Sequence, residues 1–206
     1  MAHKLICLVG LPGAGKTEAA DYLMKKKDFG FVRFGQITLD WFIKKGIKPT
    51  EKLERKFRED LRHKHGMAAF AKLNAPKFDA LLKKGDVIGD GLYSWEEYLY
   101  LKNRYKDKLI VMAVYAPPSQ RYARLVGRGK KHGQDAKLQF RSFTLREAKA
   151  RDQAQIENLH QAGPIVMADY TVLNVCAIGV LRKQIDIIVK EIYGKNKSKI
   201  KTEAHL

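Results

Sequence analysis

Cysteine is scarce in this chain of 206 residues, which contains only Cys7 and Cys176. Two cysteines so far apart in sequence provide neither a disulfide framework nor the spacing of a metal site. Long apolar runs are also missing, because the longest, at residues 5–9 and 109–116, suit β-strands and are too short to cross a bilayer. We therefore expect a soluble, cytoplasmic protein of one domain without a signal peptide, in which both cysteines are small apolar core residues.

Acidic residues are also few, since 22 Asp and Glu stand against 40 Lys and Arg, and the formal net charge is +18. Such an excess has two possible origins. One is a polyanionic ligand or nucleic acid, whose binding a basic face accelerates and strengthens, and the other is a solvated, lysine-rich surface. The lysine clusters fall at predicted element ends, where cations stabilise helix C-termini, and they do not form a continuous groove. Charge alone therefore leaves nucleic-acid binding as the lesser alternative.

One pattern near the N-terminus is specific. The apolar run Leu5–Val9 is followed by GLPGAGKT at residues 10–17 and then by a helix-compatible stretch. This is the phosphate-binding loop G-x-x-x-x-G-K-[S/T] in the strand-to-helix context that it requires, which a chance glycine-rich turn does not need to have. We predict that its backbone amides bind the phosphates of a purine nucleotide. The predicted nucleotide-binding residues of the loop are Gly10, Pro12, Gly13, Ala14, Gly15, Lys16, which reaches the β- and γ-phosphates, and Thr17, which reaches Mg²⁺.

Predicted strands and helices alternate along the chain. Helical pieces between the second and third strands form an insertion at about residues 36–84. We predict an α/β fold with three layers, in which helices cover both faces of a parallel five-stranded sheet and ligands bind at the carboxyl ends of its strands. The domain is expected to span residues 1–194, and the lysine-rich segment 195–206 to be a basic disordered tail. The strands are predicted at residues 5–9, 31–35, 86–91, 109–115 and 170–174.

A cationic segment follows the fourth predicted strand. Residues 127–135 are polar and glycine-rich, which indicates a mobile loop, and a lid is expected at about residues 127–143. Arg121 and Arg124 share a face of the preceding predicted helix, and Arg128 lies just past its end. Arginine suits phosphate because its planar charged group donates two hydrogen bonds at once. A solvated basic helix face is the alternative for all three arginines.

The order of these motifs resembles that of the nucleoside monophosphate kinase superfamily, and more closely that of its dephospho-CoA-kinase-like members. The similarity covers about residues 5–192, and only the phosphate-binding loop is specific by itself. The matching motifs are GLPGAGK at 10–16, HGMA at 65–68, DG at 90–91, RYARL at 121–125 with Arg128 and Gly129, RD at 151–152, and ADY at 168–170 with Asn174.

The resemblance implies that the γ-phosphoryl group of ATP is transferred, with Mg²⁺, to a nucleotide-like acceptor such as a nucleoside monophosphate or dephospho-CoA. It also places Arg124 and Asn174 at the nucleotide, and it adds Asp90 to Thr17 at the metal. Arg128 is expected over the transferring phosphoryl group. The protein is expected to be a monomer or a homodimer that acts without a membrane. The catalytic residues that the resemblance implies are Lys16, Asp90, Arg128, Arg151 and Asp152.

Each of these assignments has a structural alternative. Asp90 precedes a glycine, and Asp-Gly is a common turn dipeptide. Arg151 and Asp152 are also compatible with an ordinary surface ion pair. Asn174 is equally suited to cap the end of a strand.

The acceptor half of the pattern departs from the superfamily. Gln36 and Leu39 stand where an aspartate and an arginine usually follow the second strand, and Tyr93 lies where an acceptor-binding arginine is usual. Three possibilities stay open: another acceptor, an ATPase without an acceptor, or compensating cations. A second hypothesis is therefore a basic ATP-binding protein or ATPase that acts with nucleic acid. The candidate compensating cations are Arg33, Arg55, Arg58 and Arg62.

Overall fold

A computed structural model describes residues 3–132 and 143–202. Its centre is one parallel sheet, as the alternating pattern predicts. The strands, in chain order, are β1 (Leu5–Val9), β2 (Gly30–Arg33), β3 (Val87–Leu92), β4 (Leu109–Tyr115) and β5 (Tyr170–Leu173). Their order in the sheet is β2-β3-β1-β4-β5, so β1 lies in the middle and the strands of lower burial lie at the edges.

Helices connect the strands, and several begin or end where the local sequence indicates. Thr50 caps the third helix through its hydroxyl, and Ser94 with Glu97 forms a capping box at the start of the fifth. Gly46 ends the second helix in a left-handed conformation. The helices are α1 (Lys16–Lys26), α2 (Gln36–Lys45), α3 (Glu51–His65), α4 (Ala69–Leu82), α5 (Trp95–Tyr105), α6 (Pro118–His132), α7 (Leu145–Glu157), α8 (Ala162–Val166) and α9 (Ile178–Thr202), with a 3₁₀ turn at Lys106–Lys108.

Two apolar clusters lie on opposite faces of the sheet. Because side chains alternate along a strand, Leu5 and Cys7 of β1 point into one cluster and Ile6 and Leu8 into the other. The first cluster is closed by α4 and α5, and the second by α1 and α9. The predicted three-layer α/β/α fold is therefore confirmed.

Strand register places the end of β3 at the centre of the molecule. Asp90 is the parallel-sheet partner of Leu8 in β1 and of Arg33 in β2. The sequence assigns a functional role to Asp90 on condition that β3 neighbours β1, and this condition is met. The loop after β1, the end of β3 and the end of β2 thus meet at one edge of the sheet.

Two segments predicted to lack structure are helical. Helix α6 continues to His132, through the first residues of the predicted loop, and α9 continues to Thr202, through most of the predicted disordered tail. Glycines at 127 and 129 each cost a helix only about 1 kcal/mol, and the lysines and arginine around them are good helix formers. The tail after Gly194 contains neither glycine nor proline before Thr202, so nothing in its sequence interrupts α9. Residues 133–142 of the predicted lid and 203–206 of the tail lie outside the described residues.

The prediction for the cysteines is half correct. Cys7 is fully buried in β1, whereas Cys176 is exposed after β5 rather than in the core. Cys176 lies in the connection from β5 to α9, where residues 175 and 177 are exposed as well, and the apolar character of cysteine does not reveal this position. Within residues 3–132 and 143–202, no helix has the length and apolarity needed to span a membrane.

Candidate functional site

The loop between β1 and α1 has the backbone that the phosphate-binding motif predicts. Gly13 and Gly15 have φ angles of +80° and +108°, a region that residues with a side chain rarely adopt. A Cβ at Gly13 would lie 2.6 Å from the carbonyl oxygen of Arg121, and one at Gly15 would lie 2.1 Å from Nδ2 of Asn174. The loop is therefore both left-handed and tightly enclosed at these positions, and its curled backbone leaves amide groups at the N-terminus of α1.

Lys16 turns back onto its own loop. Its Nζ donates to the carbonyl oxygen of Gly10 at 2.7 Å and to that of Leu11 at 3.5 Å. The ammonium group is thus held beside the loop by two carbonyls and not by a carboxylate. A polyphosphate that enters the loop would offer it stronger, charge-assisted partners.

The electrostatic environment of Lys16 is cationic. Burial lowers the pKa of Lys16 to about 8, Asp90 opposes this shift, and Arg128, Arg151 and Arg121 lower the pKa further. Cations that repel one another in one place are stabilised by a bound polyanion. The site around Lys16 therefore has the charge that a triphosphate requires.

Asp90 supplies a carboxylate across from the loop. It is buried, with 6% of its surface exposed, and its Oδ2 lies 3.4 Å from Nε of Arg33. Asp90, Thr17 and Lys16 line the same cleft. Among the described residues, no group of three or more His, Cys, Asp and Glu side chains is arranged to hold a metal ion. A hydroxyl and a single carboxylate suit Mg²⁺ that is bound largely by substrate phosphates, because Mg²⁺ usually needs only one or two protein carboxylates.

Arg121 connects the loop to the two helices above it. Its guanidinium donates to the carbonyl oxygens of Ala116 at 2.9 Å and Pro12 at 3.2 Å. It also forms a two-point ion pair with Asp152, at 2.7 and 2.5 Å. Both side chains are buried, so this pair joins α6 to α7 next to the phosphate-binding loop.

The structure separates the predicted pair Arg151 and Asp152. Arg151 lines the cleft, and its guanidinium lies 4.8 Å from the ring centre of Phe143. Asp152 instead points to Arg121 and Tyr122, away from the cleft. Adjacent residues on a helix point about 100° apart, so both side chains could not face one ligand. The surface-pair alternative does not hold either, because Asp152 is buried.

Arg124 and Asn174 lie together at the far side of the loop. Arg124 donates to the carbonyl oxygens of Gly13 at 3.3 Å and Asn174 at 2.7 Å. The amide of Asn174 donates to the carbonyl oxygen of Ala14 at 2.8 Å. These bonds fix the position of the loop relative to the end of β5, and both side chains line the cleft.

Arg128 lies farther along α6 and also lines the cleft. Burial and the neighbouring Arg151 lower the pKa of Arg128. The structure thus brings Lys16, Arg128 and Arg151 into one cationic group.

Gln161 is a residue of the site that the sequence gives no reason to select. It is fully buried, and its Nε2 donates to the carbonyl oxygens of Gly10 at 3.4 Å and Leu92 at 3.2 Å. It therefore joins the start of the phosphate-binding loop to the end of β3. Gln161 follows α7, 151 residues from Gly10, and no local pattern indicates a contact over that distance.

The cleft continues from the loop toward α3. Its volume is about 1230 Å³, which exceeds the usual size of a site for one small ligand. Beyond Asp90 it is lined by side chains of α3, including Arg58 and Arg62, and by Tyr93. One cleft therefore contains the phosphate-binding loop at one end and a second, arginine-lined region at the other.

Glu97 lies behind this second region. Its Oε2 accepts from the backbone amides of Tyr93 and Ser94 at 3.0 and 3.3 Å, and the residue is fully buried. Burial raises the pKa of Glu97 to about 7, an effect that Arg62 opposes. The carboxyl group is therefore partly protonated near neutral pH.

Known proteins are similar to this chain over most of its length. The family profile described as an AAA domain matches residues 6–150. UPF0200 proteins of Pyrococcus horikoshii and Pyrococcus abyssi are 30% and 31% identical to this chain, and the alignments cover 91% of it and 97% and 96% of the two relatives. The chain belongs to the AAA-domain family and to the UPF0200 proteins.

Solved structures share the fold. TT1252 from Thermus thermophilus matches with a TM-score of 0.57 and 16% identity, over 93% of this chain and 98% of that one. A gluconokinase from Sinorhizobium meliloti matches with a TM-score of 0.56 and 12% identity, over 94% and 98% of the two chains. A shikimate kinase from Acinetobacter baumannii matches with a TM-score of 0.51 and 18% identity, over 94% of both chains. The chain therefore shares its fold with proteins of which two are named as kinases. Together with the matching family profile, this confirms the predicted P-loop superfamily, whereas the likeness to dephospho-CoA kinases stays a prediction.

Proposed function

We propose that this protein is an ATP-dependent small-molecule kinase, which transfers the γ-phosphoryl group to a nucleotide-like acceptor such as a nucleoside monophosphate or dephospho-CoA. The observation that carries the proposal is the single cleft with a phosphate-binding loop at one end, a carboxylate at its centre and an arginine-lined region at the other. A protein that only binds a nucleotide does not need the second region. An enzyme whose two substrates react with each other needs a binding region for each of them.

The residues at the centre of the cleft suit phosphoryl transfer, which depends on positioning and charge neutralisation. The loop amides and Lys16 bind the β- and γ-phosphates, and Arg128 and Arg151 neutralise charge on the transferring group. Where the acceptor atom is a hydroxyl oxygen, as in dephospho-CoA, Asp90 orients this hydroxyl and takes its proton. The phosphate oxygen of a nucleoside monophosphate is already ionised and needs no base. The acceptor oxygen then forms a bond to the γ-phosphorus while the bond from that phosphorus to the β,γ-bridging oxygen breaks, so ADP leaves.

The remaining predicted residues hold these groups in place. Arg124 and Asn174 border the donor nucleotide and fix the loop through its carbonyl oxygens. Asp152 is a positioning residue, since it acts on the site through Arg121. Thr17 and Asp90 would hold Mg²⁺ together with substrate phosphates, where the ion supplies positive charge.

The similar structures support the coarser part of this proposal. The solved chains with the same fold include proteins named as kinases of gluconate and of shikimate, which are small molecules. Their low identity to this chain limits the argument to the fold. The choice of a nucleotide-like acceptor therefore rests on the motif order and on the cleft.

A test is to incubate the purified protein with Mg·ATP and a panel of nucleoside monophosphates and CoA precursors, and to identify phosphorylated products by mass spectrometry. We expect one acceptor to be phosphorylated, and Lys16→Ala to abolish this reaction because the ammonium group at the phosphates is lost. Lys25→Ala is the matched control, since Lys25 is an exposed lysine of the same helix. ATP hydrolysis without any phosphorylated panel member would overturn the proposal.

A further inference from the structure

Arg62 is a buried cation without a counter-ion in direct contact. The residue is only 9% exposed, and within residues 3–132 and 143–202 it forms neither a hydrogen bond nor an ion pair. Its Nε is buried without a hydrogen-bond partner, and its guanidinium lies 4.8 Å from the ring centre of Phe70. Burial lowers the pKa of Arg62, which is the sign of a charge placed where water cannot solvate it well. Such a group costs free energy unless an anion pairs with it.

Among the described residues, no carboxylate contacts Arg62 directly, although Glu97 and Glu59 both oppose the lowering of its pKa. Glu97 is the main opposing charge, but its Oε1 has no hydrogen-bond partner and its Oε2 accepts from two backbone amides. Arg58, one helical turn before Arg62, adds a second positive charge, and its own contact with Glu54 is at 3.1 Å. Because residues four apart share a face of a helix, both arginines line the same end of the cleft.

This arginine pair is separate from the cations at the phosphate-binding loop. The largest charge effects on Lys16 come from Asp90, Arg128, Arg151 and Arg121, whereas the largest on Arg62 come from α3, Tyr93 and Glu97. Tyr93 lies near both groups, since Asp90, Arg151 and Arg58 all act on its pKa. The cleft thus contains two cationic centres, of which the phosphates of one nucleotide fill only the first.

We infer that Arg62, together with Arg58, binds an anionic oxyacid group of the acceptor other than the group that is phosphorylated, a phosphate or a carboxylate, at the end of the cleft opposite the phosphate-binding loop. The role of this ligand as an acceptor rests on the proposed kinase function, but the anion site does not. Helix α3 thereby replaces the arginines that are absent after β2 and after β3. A guanidinium suits either oxyacid because both accept two parallel hydrogen bonds.

The experiment measures binding rather than turnover. Protein saturated with Mg²⁺ and a non-hydrolysable ATP analogue, which fills the loop, is titrated calorimetrically with ribose 5-phosphate, ribonate and ribose. We expect one of the two anions to bind at least about tenfold more tightly than neutral ribose, and Arg62→Met to remove that advantage. The preferred anion identifies the group as phosphate or carboxylate. Equal binding of all three ligands, or an advantage that survives in Arg62→Met, would overturn the inference.

Two controls distinguish anion binding by Arg62 from a general charge effect and from a structural role of this side chain. Lys56→Met removes an exposed positive charge from the same helix and is expected to leave anion binding unchanged. Thermal unfolding without any anion is expected to occur at the same or a higher temperature in Arg62→Met, because the variant no longer buries an unpaired charge. A fall of several degrees that phosphate does not alter would instead assign Arg62 a structural role and overturn the inference.

The result is independent of the proposed kinase function. If the ATP analogue binds and the anion advantage depends on Arg62 while no panel member is phosphorylated, the kinase proposal fails and the anion site stands. If an acceptor is phosphorylated equally well by wild type and Arg62→Met, the kinase proposal stands and the anion site at Arg62 fails.

Discussion

The two ends of the cleft are built in different ways. At the loop after β1, the proposed binding groups are mainly backbone amides, and their arrangement is fixed by glycine φ angles and by the start of α1. At α3, the proposed binding groups are side chains, and their placement depends on how α3 packs beside α4 and the end of β3. The first kind of site is encoded within eight consecutive residues. The second is encoded only by the tertiary fold, so it can change its ligand without loss of the nucleotide site.

The largest expected effect is a selective loss of nucleotide binding at the phosphate-binding loop. Gly15→Val places a side chain at a φ of +108°, where even a Cβ would lie 2.1 Å from Nδ2 of Asn174. We expect calorimetry to show that Mg·ATP affinity falls about 100-fold or more, while the anion affinity at α3 is retained. Gly179→Ala, at a glycine with open space around it, is expected to bind ATP normally. Wild-type affinity in Gly15→Val would show that this loop is not the nucleotide site.

The second effect concerns the ion pair that supports the loop. Asp152→Asn leaves the buried guanidinium of Arg121 without its counter-charge, and we expect urea denaturation to show a loss of about 3–5 kcal/mol in the free energy of unfolding. Asp79→Asn breaks the more exposed pair with Arg104 and is expected to cost less than about 1 kcal/mol. Unchanged stability with a selective fall in kcat would assign Asp152 a catalytic role instead.

The third effect is a pH dependence that only the loop end should show. The pKa of Lys16 is about 8, so the ammonium group is lost as the pH rises through this value. We expect the Kd for ATP to increase about tenfold between pH 7 and pH 9. Anion binding at α3 is expected to change much less, because arginine remains charged and Glu97, with a pKa of about 7, loses only its remaining protons over this range. An ATP Kd that does not change over this range, or that changes equally in Lys16→Met, would contradict the assignment.

Lys16 also influences stability in a defined direction. Its pKa in the unfolded chain is near 10.5, so the unfolded state binds more protons than the nucleotide-free native state between about pH 8 and pH 10.5. This group therefore makes the native protein more stable as the pH rises through that window. The unfolding free energy of Lys16→Met should lack this increase.

The same contrast accounts for what can be predicted from the sequence. The parallel sheet and the caps at Thr50 and Ser94 follow from short local patterns, and the structure shows them. The loop after β1 likewise has left-handed glycines at the positions where its motif requires them. Helices α6 and α9 extend beyond their predicted ends, because polar sequence is compatible with both helix and loop. Local patterns thus determine the sheet and one end of the cleft.

The rest of the site depends on contacts between distant segments. Arg121 pairs with Asp152 across 31 residues, and Gln161 reaches Gly10 across 151. The sequence offers Arg62 among four candidate cations, but only burial distinguishes it from Arg55, whose side chain is 62% exposed. Burial depends on how the chain packs, and the order of residue types does not by itself specify this packing.

The position of Arg121 sets a limit on how the helices above the loop can move. Its bonds to Pro12, Ala116 and Asp152 meet at the first turns of α6. Any swing of α6 and α7 that preserves these bonds must have its fulcrum there, so that the displacement is smallest at Arg121 and grows toward Arg128. A nucleotide that is pulled inward by Arg128 would therefore exert force on the same pivot that contacts Pro12. Binding of the nucleotide by α6 would in this way be coupled mechanically to the phosphate-binding loop.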